Sequence, residues 1–539
     1  MRVMNKEHLL ALVLKQIPRL LSLMDRNISF ATHGCFDRQY WHYRTVDFPA
    51  ARYQEACLTL TLLYKLRAEQ NPYYHSKLMK QWIQAGVQFW TIIQETNGSF
   101  NEWYPRENSF VATAFSTAAI SEVLFALPEL RNYQMINAIK KAAEWLLKHD
   151  ETRVWNQEAG AALALYNTYL LTNEQKYRKG ALHKIELLLK HQNEEGWWME
   201  YEGPDIGYLS LTIDYLAKYY QKSKDRQVLP ALRKAVSFIS YFVHPDGSAG
   251  GVYGSRNTHY LIPSGFFILN GIITEAVPIC KAITDALARG TSVELRTFDD
   301  RYLVYIGYTW LQAYENFKLG NGHLPWQQAS FSMHFKHAGI VVWNTEDYYI
   351  IVNARKGGAF YIWFKKQKKQ IMESGVIQKT SDGYFSSGRI HPAHKCTITA
   401  NRIKIMSHFY PLSSYTATPF TYGALRFFQA TFGRLGLSKM LKKKLRDVLI
   451  SKQDKSMLIH NRVITHMNTT IVIKDIIQLH PKATAVLLDQ QVSELYVPSS
   501  QYFREAELHQ NSFTIPVQKG QKQITLQRTF SKDGSVLRF

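Results

Sequence analysis

The chain has 539 residues, more than one ordinary core holds, so at least two domains are expected. Hydrophobic residues make up 46% and charged residues 20%, which argues against disorder. A formal charge of +22 favours an anionic partner, whereas the lack of zinc-type Cys/His spacing, a helix-turn-helix signature or a phosphate-cradling Gly loop argues against nucleic acid.

Residues 1–47 read as an N-terminal helix and a lead-in segment. The apolar run in MRVMNKEHLLALVLKQIPRLLSLMDRN is broken by His8, Lys15, Gln16, Pro18 and Arg19, and no small-residue cleavage site follows, so an amphipathic helix is expected and not a signal peptide. No stretch approaches the ~20 apolar residues that span a bilayer. Cys35, Cys57, Cys280 and Cys396 are too scattered for a disulfide framework. A cytoplasmic protein is the expectation. FDRQYWHYRTVDFPAARYQEA then groups Asp37, Arg38, Trp41, His42, Tyr43, Asp47 and Arg52 more densely than a linker needs.

From residue 48 to 324, apolar stripes at helical spacing recur over 76–95, 112–128, 132–148, 158–171, 175–191, 207–220, 228–243, 264–287 and 301–317. The loops between them repeat. NGSFNEWYP, EEGWWMEYEGP and PDGSAGGVYGS place Gly98, Gly196 and Gly247 after polar residues, and DETRVWNQEAG falls where another member is due. The period is about fifty residues, with boundaries near Phe48 and Phe298, which predicts about six helical hairpins curled into an (α/α) toroid.

Residues 325–539 change character. GIVVWN, YYIIVNA, AFYIWFK, TITANRIKIMSHFY, TTIVIKDIIQL, AVLLD, SFTIPV and KQITLQRTF, separated by Gly, Asn, Asp and Pro, predict an antiparallel β domain of layered, sandwich-like sheets. A basic helical segment, 421–451, interrupts the strands. Within it Arg426, Arg434, Lys439, Lys442, Lys443, Lys444 and Arg446 have only Asp447 as a nearby acid, so 424–446 is expected either to touch an anionic membrane peripherally, at the inner surface, or to pack as a solvated outer helix.

A helical toroid followed by a β-rich domain, with a DGS-containing loop leading into Tyr and His, resembles the heparinase II/III-like superfamily of polysaccharide lyases over roughly 48–539. The resemblance implies a substrate groove beneath the β domain and β-elimination on an acidic, uronic-acid-containing polysaccharide. That chemistry needs the uronate carboxylate neutralised, a base near C5 and a donor for the departing oxygen. In the family an Asn or His meets the carboxylate, and Tyr and His share the proton work. Asn156 in VWNQEAG, with Gln157 beside it, matches the first role, although an Asn there can also cap a helix. HPDGSAGGVYGSRNTHYLIPSG supplies Tyr253, His259 and Tyr260 for the second, with Arg256 and Asn257 as substrate contacts.

The chain departs from the family at the start of the β domain. A Gly-His-Gly-His type segment is replaced by NARKGGAFYIWFKK, and only SMHFKHAG offers His334 and His337, of which His337 is the candidate. Trp103, Tyr104 and Glu107 from the first loop, and Trp198, Glu200, Asp205 and Tyr208 from the third, join Arg52 as expected sugar contacts, because flat rings stack on sugars and carboxylates accept from hydroxyls. Glu107 and Asp205 also suit helix N-termini. No metal set or cofactor motif is evident, so none is expected. Two alternatives stand beside elimination: a glycoside hydrolase drawing two carboxylates from Glu102, Glu200, Asp205 and Asp246, and a noncatalytic glycan-binding or assembly factor in exopolysaccharide production.

Overall fold

The computed structural model describes residues 6–291, 294–412, 418–431, 456–467, 469–488, 502–503, 508 and 513–532. Helices α1 (Lys6–Ser22), α2 (Arg38–Trp41), α3 (Ala56–Lys65), α4 (Lys77–Ile92), α5 (Phe110–Ala126), α6 (Tyr133–Leu147), α7 (Trp155–Thr172), α8 (Gln175–His191), α9 (Ile206–Ser223), α10 (Leu229–Ser240), α11 (Pro263–Leu269), α12 (Ala276–Arg289) and α13 (Asp300–Glu315) build the first region. Helices α3, α5, α7, α9, α11 and α13 each touch the next, and α13 returns to α3, closing an inner ring. Helices α4, α6, α8, α10 and α12 lie outside it, and α1 packs on α13 as the sixth outer member.

Residue size explains which helices go inside. Helix α5 (FVATAFSTAAISEVLFA) is buried nearly all round, and its Ala, Ser and Thr let neighbours approach. On α7, a Cβ at Gly160 would lie 2.3 Å from the Phe115 ring. Outer helices instead bury one stripe: α6 turns Met135, Ala138, Ile139, Ala142, Ala143 and Leu146 inward.

The recurrent loops have a packing cause. Gly98, Gly196 and Gly247 adopt φ of +92°, +104° and +87°, and an added Cβ would strike Lys141 O, Lys234 O and the Ala286 side chain on the adjoining outer helices. Gln94 and Gln192 each donate both to their turn glycine's carbonyl and to that outer helix. In the member without such a glycine, Lys184 of α8 donates instead to His149 O at 2.5 Å and Asp150 at 2.6 Å. These loops all precede inner helices, so they gather with the N-termini of the ring on one face, where helix dipoles favour negative charge.

Among the described residues, three antiparallel five-stranded sheets follow. The first is a meander of β1 (Phe331–Phe335), β2 (Ile340–Asn344), β3 (Tyr348–Asn353), β4 (Ala359–Phe364) and β5 (Lys369–Glu373). Strands β6 (Ile377–Thr380), β7 (Gly383–Ser386), β8 (Lys395–Ile398), β9 (Arg402–His408) and β10 (Tyr410–Leu412) precede helix α14 (Pro419–Ala430). Strands β11 (Ile459–Met467), β12 (Thr470–Gln478), β13 (Ala483–Leu488), β14 (Phe513–Pro516) and β15 (Gln523–Ser531) complete sheets ordered β10-β7-β6-β13-β14 and β15-β12-β11-β9-β8. Of the expected basic segment 421–451, residues 432–451 lie outside the described residues.

The meander is buried on both faces, which is why IVVWN, YYIIVN and AFYIWF are almost unbroken apolar runs. Val341, Ile350, Val352, Phe360 and Ile362 face Ile403, Ile405, Ile464 and Ile473 of the β15–β8 sheet. The alternate residues Val342, Tyr349, Ile351 and Tyr361 join the toroid core. Tyr349 donates to Tyr241 O at 2.6 Å, and Phe335 packs edge-on to Phe238 with ring centres 4.9 Å apart. The β domain therefore sits on the loop face of the toroid, over the loops that lead into α9 and α11.

Candidate active site at the toroid and β-domain junction

Chain direction brings Asn156, in the first turn of α7, against the loop before α9. Val154 occupies the N-cap position, leaving the Asn156 side chain for another partner. Its backbone N and Nδ2 donate to the two carboxyl oxygens of Glu200, each at 3.2 Å. Both residues are buried, and burial raises the Glu200 carboxyl well above its ordinary value despite those bonds. Gln157 follows, half-buried.

Asp205 stitches the neighbouring loops together. It caps α9 by accepting from Tyr208 N at 3.3 Å, and it accepts from Arg256 N at 2.9 Å, Thr258 N at 3.3 Å and the Thr258 hydroxyl. This fixes the 253–260 loop, and with it Arg256. The Arg256 guanidinium is 1% exposed, stacks over the Tyr201 ring at 4.0 Å, and none of its three nitrogens has a hydrogen-bond partner. Burying a guanidinium without hydrogen-bond acceptors costs roughly several kcal/mol, and the Glu200 and Glu202 carboxyls answer its charge only through space, leaving its N–H groups open to an anionic ligand.

The β domain adds cations to the same place. Lys356, from the β3–β4 turn, donates to Gly254 O at 2.6 Å and to Asn257 Oδ1. Arg389 approaches from the segment after β7; Arg256, Arg389 and Lys356 all act on the Glu202 carboxyl, which burial nonetheless raises. In the same loop, the Tyr253 hydroxyl and His244 Nε2 are 2.8 Å apart, and His244 Nδ1 meets Ser248 Oγ at 2.9 Å. His244 stacks on Tyr361 at 3.8 Å, Asn353 donates to Tyr253 O at 2.7 Å, and burial pushes the Tyr253 phenol up.

A second group gathers Arg52, the 102–104 loop and α13. Arg52 binds Glu55 at 2.7 and 3.3 Å and lies 3.6 Å over Tyr305, whose hydroxyl donates to Glu102 at 3.1 Å. Trp103 is 47% exposed, with the Arg301 guanidinium 4.4 Å over its ring. Tyr104 is half-buried beside it. Tyr260 and Tyr302 share a 2.6 Å hydroxyl contact, and His259 lies edge-on to Tyr502, whose hydroxyl donates to Asn257 O at 3.4 Å.

The expected residues thus divide. Asn156, Glu200, Arg256 and Asn257 come together beneath the β domain, and Arg52, Trp103 and Tyr104 belong to the second group. Glu107 instead folds its own loop, accepting from the N–H groups of Glu102 and Trp103 at 3.0 and 2.8 Å. Trp198 is core, donating to Leu188 O at 2.8 Å. His337 is exposed in the β1–β2 turn and pairs with Glu194 at 2.7 Å. His244, Arg301, Lys356 and Arg389 were not singled out by sequence, whereas Tyr201 belongs to the aromatic and acidic loop that was. His244 opens the loop already marked as chemically rich, and Lys356 lies in NARKGG, where a His was looked for.

No family model matches the chain, and no curated protein matches it in sequence. Solved structures do match it in shape. The chondroitin AC lyase of Streptomyces coelicolor A3, in complex with chondroitin sulphate, superposes with a TM-score of 0.53 at 9% identity, covering 81% of this chain and 63% of that one. Paenibacillus xanthan lyase gives 0.52 at 9% identity, covering 97% of this chain and 56% of that one. The chain has the toroid polysaccharide lyase fold. At such identity the likeness is one of fold, and this lyase-fold chain spans 63% and 56% of the length of the two enzymes.

Proposed function

We propose that the protein binds an acidic, uronate-containing polysaccharide between the toroid loops and the β domain, and cleaves it by β-elimination. The carrying observation is the buried Arg256 guanidinium without an acceptor. A substrate carboxylate would satisfy it with charge-assisted bonds, with Lys356 and Arg389 adding positive potential. Glu200, whose carboxyl burial raises and Asn156 holds, would in its protonated form donate a further hydrogen bond to that carboxylate and so acidify the C5 proton. The Tyr253–His244 pair is the proton carrier: the base takes the C5 proton, the C4–O bond breaks as the C4–C5 double bond forms, and a proton passes to the departing oxygen. The carboxylates suit hydrolysis less well, because Asp205 is occupied by three loop donors and one from the first turn of α9.

Binding without cleavage is the second reading. The burial of Tyr253 and His244 beneath Tyr361 favours it, since elimination needs that edge of the sheet to draw back. Incubation with a panel of uronate polysaccharides separates the readings, following both the ultraviolet absorbance of unsaturated uronate and new reducing ends. Elimination raises both in step, and Tyr253→Phe lowers turnover by roughly 10²-fold or more with binding retained. Reducing ends without absorbance mean hydrolysis, and binding with neither signal means the second reading.

A further inference from the structure

Helix α14 is apolar on more than its inward side. Inward, Leu425 and Phe428 are half-buried and Gln429 is buried, Arg106 donates to Gln429 O at 2.8 Å, and Arg426 pairs with Asp47 at 2.8 Å while lying over Phe48. Its outward side is apolar. Phe420 is 84% exposed and Phe427 67%, and with exposed Ala424 they stand at i, i+4 and i+7 on one stripe, flanked by Tyr422. Thr418 caps the helix in a reciprocal box with Thr421, so the stripe belongs to a helix fixed at its start and tied down at Arg426 and Gln429.

We infer that this stripe is a docking surface for an anionic lipid membrane. Two rings projecting from a convex helix find no complementary shape on a rigid flat partner, but they enter the headgroup–acyl boundary of a deformable bilayer readily. Charge selects the lipid. Residues 418–431 contain no Asp or Glu, and the sequence immediately following carries Arg434, Lys439, Lys442, Lys443, Lys444 and Arg446 against Asp447. At a net charge of +22, two copies of the chain repel one another, which disfavours self-association through the same stripe. No described helix is long and apolar enough to cross a membrane, so contact at this surface would be interfacial.

Flotation of the full chain with vesicles of phosphatidylcholine, alone or mixed with phosphatidylglycerol, tests the inference. Flotation is expected only with the anionic lipid and should fall as salt rises. A Phe420→Ser, Phe427→Ser double variant, with unchanged circular dichroism and melting temperature, should partition roughly 100-fold more weakly, about tenfold for each ring. No flotation, equal flotation with neutral vesicles, or full flotation of the double variant would each overturn it. So would a wild-type dimer that the double variant abolishes in the absence of any flotation, since the stripe would then bind a second copy.

Discussion

Arg462 in the β sandwich and Arg256 above the toroid are both withdrawn from solvent, yet they are treated differently. Arg462 donates to Asp475 at 2.7 Å, Glu373 at 2.5 Å and Gly358 O at 3.1 Å. Arg528 joins the same two carboxylates at 2.8 and 3.1 Å, and His460 bridges Asp475 at 2.8 Å and Ser387 at 3.0 Å. Burial works to raise Glu373, but the two guanidiniums outweigh it and hold that carboxyl at about 2. Two cations and two anions thus close a set that pins the meander to the β15–β8 sheet. Its Ser387–His460–Asp475 line has the composition of a hydrolytic triad, but all three residues are buried and Asp475 is committed to both arginines. The difference teaches how to read buried charge: a closed set holds the fold, while an open one awaits something from outside.

The largest expected effect is on the closed set. Arg462→Ala leaves Glu373 and Asp475 short of a counter-charge and should cost about 3–5 kcal/mol in denaturant unfolding. Arg256→Met should cost much less, about 2 kcal/mol or below, because it removes three unpaired N–H groups and only a through-space attraction to Glu200 and Glu202. A large loss from Arg256→Met would break the contrast.

Much of the fold was legible in sequence because its causes are local. The fifty-residue period reports turn glycines that only positive φ and close helix contact permit, and the apolar runs of β2 to β4 report burial on two faces. The place of α1 as the sixth outer helix was not legible, since its partner α13 lies nearly 300 residues away. The site was legible in part. Its loop stood out by composition, but the isolation of Arg256 depends on what the surrounding loops do not place beside it, and the arrival of Lys356 and Arg389 depends on domain docking. His337 looked chemical in sequence and lies on an exposed turn.

Smaller effects sharpen the comparison. The raised Glu200 carboxyl binds its proton more tightly in the folded state, so its contribution is present below its ordinary 4.5 and is lost as pH rises through the folded value. Melting curves should therefore show wild type losing ground to Glu200→Gln by roughly 2 °C or more between about pH 5 and about pH 8. A pH-independent difference would mean that Glu200 is ionised throughout. The least effect is expected from His337→Ala, whose exposed pair with Glu194 should be worth within about 0.5 kcal/mol and whose loss should leave glycan binding unchanged.

Calorimetric titration of wild type and Arg256→Met with a uronate oligosaccharide shows whether the open guanidinium seats an acidic sugar. Binding is expected, and Arg256→Met should weaken it by roughly 10- to 100-fold with at most a small loss of melting temperature. Equal affinity in the two proteins would contradict that role.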